Sequence, residues 1–144
     1  MSYANGEIYI KNIRSAANTD TYTFSGDENG ETFVPSFTSH GFRYVEITGN
    51  GCELSDISCV TSLEGLVLCN TPDTTGSFEC SDPLVNQLQS NIQWGQRSNS
   101  LLVYTDCPQR NERMGWTGDA QVFAPTAAFN MDVQSFMNKW LLDV

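Results

Sequence analysis

The sequence predicts an α+β chain, part of an antiparallel β-sandwich followed by helices, and three observations support that. Residues 7–70 run as short β-prone stretches cut by turn residues. From Cys80 onward apolar residues recur at helical spacing instead, and the last dozen residues carry an uninterrupted helical stripe. The change of pattern divides the 144 residues into a β part, 1–78, and a helical part, 79–144.

In the β part the expected strands are Ile8–Ile13, Thr21–Phe24, Phe42–Ile47 and Leu66–Leu68, separated by turns such as Asp27–Gly30 and Gly49-Asn50-Gly51. Phe42-Arg43-Tyr44-Val45-Glu46-Ile47 alternates two sets of side chains, as a strand covered on both faces does. About four or five strands are few for a closed sandwich, so further strands are expected upstream.

In the helical part, Ser81 or Asp82 can cap a helix with Pro83 in its first turn, where a missing N–H costs nothing. Leu84, Val85, Leu88 and Ile92 carry it to Gly95 or beyond. Leu101–Tyr104 is a short apolar run leading into a polar loop. Ala120–Asn130 reads as helix with a break or kink expected at Pro125. With Asp132 as cap, Val133, Phe136, Met137, Trp140, Leu141 and Val144 form one apolar stripe. Two large aromatics on one face need helices to pack against, and no stop signal follows Val144. A longer protein whose helical domain continues is the expectation.

Composition narrows the partners. With 40% apolar and 17% charged residues the chain is globular rather than disordered. The net charge of −10 divides as −8 over residues 1–80 and −2 over 81–144. Clustered Lys and Arg, the footprint of nucleic-acid binding, are missing. A neutral substrate such as a carbohydrate fits better. No run is long and apolar enough to span a bilayer, so no membrane partner is expected, and the N-terminus has no secretion-signal pattern. Five cysteines at irregular spacing, with no CxxC and a single histidine, indicate neither a zinc site nor a complete disulfide framework. Reduced, mostly buried thiols in a cytoplasmic protein are expected, with no metal and no cofactor.

The chemistry concentrates between Asp106 and Asp119, which read DCPQRNERMGWTGD: three carboxylates, two arginines, a tryptophan and two glycines. Arginines, an indole and a Cys-Pro step suit a partly buried pocket better than a solvated loop. We read it as a sugar-binding, acid-catalytic loop. Glu112 is the candidate acid. An apolar wall or a nearby carboxylate would raise its pKa while the arginines pull the other way, and the structural alternative is a glutamate in an ion pair with one of them. Asp106 and Asp119 can accept from sugar hydroxyls, Arg110 can donate, and Trp116 can stack on a pyranose. The alternatives are that Asp119 caps the next helix and that Trp116 is core. A Cys107–His40 nucleophilic pair is disfavoured because His40, the sole histidine, lies in the β part, where a packed or hydrogen-bonded structural role suits it.

The run Thr105–Gln121 closely resembles the signature of bacterial α-L-rhamnosidases of glycoside hydrolase family 78. Thr19–Phe24 and Pro35–Ile47 are similar to the β-sandwich that precedes the family's catalytic domain. Phe78–Leu84 resembles the start of its (α/α)6 barrel, and Phe129–Asp132 through Leu141 the helices that follow. The resemblance implies a chain that ends a β-sandwich and begins an (α/α)6 barrel. It implies an inverting glycosidase acting on α-L-rhamnosides, with Glu112 as general acid and Asp106, Arg110, Trp116 and Asp119 lining the rhamnose subsite. Asn111 departs from the family, which often has Asp there. The family's general base is a glutamate far downstream, and no glutamate follows Glu112 here. The expectation is therefore an acid half-site that is inactive alone, with the rest of the parent chain packing on it. A non-catalytic carbohydrate-binding module and an (α/α)6 glycosidase for another sugar are the alternatives.

Overall fold

The computed structural model describes residues 6–49, 59–70 and 73–144. Cys52 and the turn residues Asn50 and Gly51 lie outside them. Three helices follow one another in the second half: α1 (Pro83–Ser98), α2 (Thr117–Asn130) and α3 (Gln134–Asp143).

Helix α1 starts as its sequence dictates. Asp82 Oδ1 accepts from Leu84 N at 2.8 Å and Pro83 occupies the first turn. The helix ends three residues past Gly95. Helix α2 begins at Thr117, earlier than the apolar pattern predicts, and continues through Pro125 instead of breaking. A proline inside a helix costs about 3 kcal/mol, and α2 is held on both sides of it by buried Ala120 and Ala127. Asp119 does not cap this helix: Trp116 holds that position, and Asp119 sits in the first turn, where its charge complements the helix dipole. For α3 the cap falls at Val133, while Asp132 Oδ1 accepts from Gln134 N at 3.2 Å.

The core is small. Tyr104, Ala120, Ala127, Met131, Val133, Phe136 and Trp140 form one buried cluster, with Val103, Phe123 and Met137 against it. The Tyr104 ring meets Phe136 edge-on at 4.6 Å, so the α3 stripe packs on the segment entering the polar loop as well as on α2. Beyond Trp140 the stripe is uncovered: Leu141 and Val144 are exposed, as are Leu84 and Leu88 on α1.

Helices α1 and α2 are joined by a polar lock. Gln96 Nε2 donates to Ala127 O at 3.1 Å, Asn130 Nδ2 to Gln96 Oε1 at 3.2 Å, and Gln89 Nε2 to Asn130 Oδ1 at 3.0 Å. Gln96 and Asn130 are both buried, so each amide needs the other. The segment at Thr74 pairs with Met131 and extends the contact to the α2–α3 joint.

The β part differs from expectation. Among the described residues the four predicted strands form no ladder, and Lys11–Ile13 close a 3₁₀ turn instead. A strand exists only where a second backbone takes up its N–H and C=O groups. Alternation marks a face for burial without supplying that partner, and Phe24, Phe42 and Val67 are accordingly more than half exposed. The 16.0 kDa chain exposes 11353 Å², against about 7,400 Å² for a compact monomer of its mass. Among the described residues the buried side chains lie in the helical part, on the helices and on the segments that join them.

One turn in the β part is well held. The Glu31 carboxylate accepts from the Tyr22 hydroxyl and from the N–H groups of Ser25, Gly26 and Asp27. The Tyr22 bond, followed by the Ser25 amide, holds its pKa down to about 2 against a usual 4.5. A depressed carboxyl pKa stabilises the fold above the unfolded value and loses that contribution as pH falls through the folded one. The turn at residues 22–31 is therefore expected to open between about pH 4.5 and 2, seen as faster amide exchange at Ser25 and Gly26. Glu31→Gln should abolish the pH dependence. In the helical part, Gln96→Ala leaves the buried Asn130 Nδ2 without its acceptor and takes one of two donors from the Ala127 carbonyl, which keeps Met131 N. It should lower stability by about 1–3 kcal/mol, measured as an earlier loss of helical circular dichroism in urea.

Candidate active site

The loop between α1 and α2 is closed at its neck by one side chain. Asp106 N donates to Met114 O at 3.1 Å and Met114 N to Asp106 Oδ1 at 2.8 Å, so residues 107–113 bulge out as a loop with fixed ends. Gly115 permits the return, since a Cβ there would sit 3.1 Å from Val103 Cγ2. The Asp106 side chain is 7% exposed. Burial works against its ionisation, but the Met114 amide, the Cys107 thiol and Arg110 outweigh it and leave Asp106 below the usual carboxylate range.

Arg110 links this neck to the candidate acid. Its Nη2 lies 3.3 Å from Asp106 Oδ2 and 2.9 Å from Glu112 Oε2, and its Nε donates to the same Glu112 oxygen at 3.2 Å. The Glu112 bond is the main reason that the guanidinium pKa is raised. Arg14, from the other half of the chain, reaches Oε2 at 3.2 Å, and Trp116 Nε1 donates to Oε1 at 3.3 Å. Glu112 thus takes the ion-paired arrangement that the sequence left open, with two guanidiniums rather than one. Trp116 is not core: it is 51% exposed, with its ring edge tethered and its surface available.

Arg113 has a positive φ of 50°, an uncommon geometry for a side-chain-bearing residue. Its guanidinium donates to Arg110 O and, at 2.6 Å, to Ser39 O, tying the loop to the β part. Gly41 lies against the same loop, where a Cβ would approach the Pro108 carbonyl to 3.0 Å. Beside it His40 Nε2 is 2.9 Å from Asp20 Oδ2, the hydrogen-bonded role expected of this histidine.

Two hollows flank the loop. One, of about 640 Å³, has Asp106, Asp119, Tyr104, Gln96 and Phe123 in its wall, within the range of small-molecule sites. The other, of about 310 Å³, is lined by Asn18, His40, Arg110, Glu112 and Arg113 among others. The five expected site residues are therefore split. Asp106, Arg110, Glu112 and Trp116 form one hydrogen-bonded chain, and Asp119 joins Asp106 only through the larger hollow. Three participants were not singled out from the sequence. Arg14 is 98 residues from its partner, Asn18 lies in an unremarkable polar run, and Tyr104 was read only as apolar. The Tyr104 hydroxyl is buried with no partner among the described residues, and its burial raises its pKa.

Asp106, Cys107 and Glu112 present ligand atoms within 4.8 Å of one another and could surround a cation. Arg110 already lies between the two carboxylates and supplies that positive charge itself. Cys107 is buried, but Cys59 and Cys69 are exposed, contrary to the expectation of mostly buried thiols. They belong to the sparsely packed β part, where there is little to bury them.

The stretch that carries this loop is shared in sequence with known proteins. Residues 73–144 match the model of the bacterial α-L-rhamnosidase six-hairpin glycosidase domain, and residues 2–68 that of the bacterial α-L-rhamnosidase concanavalin-like domain. The chain belongs to the bacterial α-L-rhamnosidase family. An α-L-rhamnosidase of Streptomyces avermitilis is 52% identical over 96% of this chain, and one of Formosa agariphila 48% over the same share. The chain spans 13% and 15% of those proteins. A crystal structure of the Streptomyces avermitilis α-L-rhamnosidase complexed with L-rhamnose superposes on 98% of the chain with a TM-score of 0.84, and matches it over 13% of its own length. A native α-L-rhamnosidase from Aspergillus terreus gives 0.81 at 41% identity, over 98% of this chain and 16% of that one.

Docking of residues 38–41 on the loop depends on the bare Gly41. Gly41→Ala should force the two apart, at a cost of about 1–3 kcal/mol. Hydrogen exchange should show amides 106–114 exchanging faster while α3 is unchanged.

Proposed function

We propose that this chain carries the acid half of an inverting α-L-rhamnosidase site. Glu112 protonates the glycosidic oxygen, and Asp106, Arg110, Trp116 and Asp119 hold the terminal rhamnose. The observation that carries this reading is the donor set around Glu112, three N–H groups on Oε2 and one on Oε1, beside a hollow walled by Asp106 and Asp119. A general acid ends its step as an anion. Donors fixed around that anion before it forms stabilise the transition state more than the ground state. Oε2 is filled by arginine N–H groups, so Oε1, held by one bond from Trp116, is the oxygen that passes the proton. The names of the matched proteins and the rhamnose bound to the Streptomyces avermitilis enzyme support the choice of sugar.

Asp106 is not the second carboxylate. Inversion needs the two carboxyls about 6.5–9.5 Å apart, and those of Asp106 and Glu112 approach within 4.8 Å. Such closeness is nearer a retaining pair, but each Asp106 oxygen already takes one N–H, from Met114 or from Arg110, which makes it a poor nucleophile while leaving a second lone pair able to accept from a sugar hydroxyl. The base, as the family resemblance implies, is a glutamate from helical hairpins outside these residues, part of an (α/α)6 barrel. The β-prone runs of residues 1–78 complete a β-sandwich with strands from the same protein.

The isolated chain should bind L-rhamnose weakly in calorimetric titration and show no turnover of a chromogenic α-L-rhamnoside. Turnover that Glu112→Gln abolishes would overturn the half-site reading. In a whole enzyme containing this chain, Glu112→Gln should lower kcat/KM about 10²–10⁴-fold for an alkyl rhamnoside. An aryl rhamnoside whose leaving group needs no protonation should be affected far less.

A further inference from the structure

We propose that Arg14 is a positioning residue for the acid, supplied by the β part to hold the Glu112 carboxyl with Oε1 toward the glycosidic oxygen. The inference rests on Glu112 acting as the acid. Arg14 has a φ of 55° and a ψ of −118°, and Ala16 N donates across it to Ile13 O at 3.1 Å. This is the geometry of the first central residue of a type II′ turn, a position ordinarily given to glycine because a Cβ is strained there. The Lys11–Ile13 turn leads directly into it, with Arg14 N donating to Lys11 O at 3.4 Å. Two successive turns thus hold an arginine where glycine fits better.

Stability does not account for that choice. The Arg14 side chain is more than half exposed, and an ion pair so placed contributes little to folding. The backbone geometry costs free energy as well. What the strained turn achieves is direction: it brings Arg14 Nη1 to 3.2 Å from Glu112 Oε2, across 98 residues of sequence.

Arg110 does not duplicate this. It lies two residues from Glu112 on the same loop, and both of its bonds to the acid fall on Oε2. It therefore fixes the carboxylate relative to the loop, whereas Arg14 fixes it relative to the first half of the chain. With Trp116 Nε1 on Oε1, both carboxyl oxygens are then held, and from separate elements. In the step itself the proton passes from Oε1 to the glycosidic oxygen, which keeps the electron pair of the breaking C–O bond. The negative charge stays on the carboxylate, facing Arg14 as it forms. The contribution of Arg14 thus grows with the leaving group's need for a proton.

The test compares kcat/KM for an alkyl and an aryl α-L-rhamnoside in a whole enzyme containing this chain, with Glu112→Gln alongside the Arg14 variants. Arg14→Gly suits the turn and removes the guanidinium, so the melting temperature should hold or rise. Its kcat/KM for the alkyl rhamnoside should fall about fivefold, through kcat rather than KM, and far less for the aryl substrate. Arg14→Lys, which keeps a charge in the same turn, should recover part of the alkyl activity. If Arg14→Gly fails to fold, Arg14→Met, which removes only the charge, decides by the same comparison. Equal losses on both substrates, or no loss on either, would overturn the positioning role alone, provided that Glu112→Gln separates the two substrates. A Glu112→Gln enzyme that does not separate them would overturn the acid, and this inference with it.

Discussion

The site hangs on one guanidinium held between two carboxylates. Arg110 donates to Asp106, which closes the neck of the loop, and to Glu112, which stands at its exposed end. Without that bridge Asp106 would be a buried charge lacking its counter-ion, and Glu112 would be held only by Arg14 and Trp116. A planar guanidinium can serve both because its N–H groups diverge in one plane, which an ammonium on a flexible stem does not reproduce. The loop therefore holds its acid by charge and geometry together, and the surrounding fold has mainly to keep the loop's two ends in place.

It does so with few residues. Tyr104 enters the loop from the buried cluster and Ala120 leaves it inside the same cluster, so both ends of Asp106–Asp119 are anchored in one core. The Gln96–Asn130 amide pair sets the register of α1 against α2 more strictly than apolar contact would, because each amide has a fixed number of donors and acceptors to satisfy. The first half contributes differently. Among the described residues it adds little to the core but reaches the loop through Arg14 on Glu112, through Ser39 under Arg113, and through Gly41 against Pro108.

What could be read in the sequence divides along the same line. Local signals were legible: the Asp82-Pro83 start of α1 and the Phe136/Trp140 face of α3 depend on neighbours within a few residues. Signals that depend on distant partners were not. Alternation in Phe42–Ile47 records which side chains seek burial, but pairing needs another backbone. Pro125 predicted a break that the tertiary packing of α2 overrides. At the site, the compact motif exposed Asp106, Arg110, Glu112 and Trp116 as a group. The linear text gave no reason to join Arg14 or Asn18 to them, since those contacts exist only once residues 14–18 fold back on the loop. His40 was assigned its structural role correctly, but its place in the wall of the Glu112 cleft is a tertiary fact.

Arg113 brings these strands of argument together. Its backbone occupies a left-handed conformation that costs free energy, and that cost is sustained only where the surroundings leave no alternative. The turn it makes aims the guanidinium away from the neighbouring Glu112 and toward the carbonyls of Ser39 and Arg110. Had the chain continued in an ordinary conformation, Arg113 would have been free to compete with Arg110 and Arg14 for the Glu112 carboxylate. By spending its donors on backbone carbonyls it fastens the two halves of the chain together and leaves Oε1 to Trp116 alone. Strain at one residue thus separates a positioning arginine from the arginines that hold the acid, within a stretch where three positions, 110, 112 and 113, all carry charge.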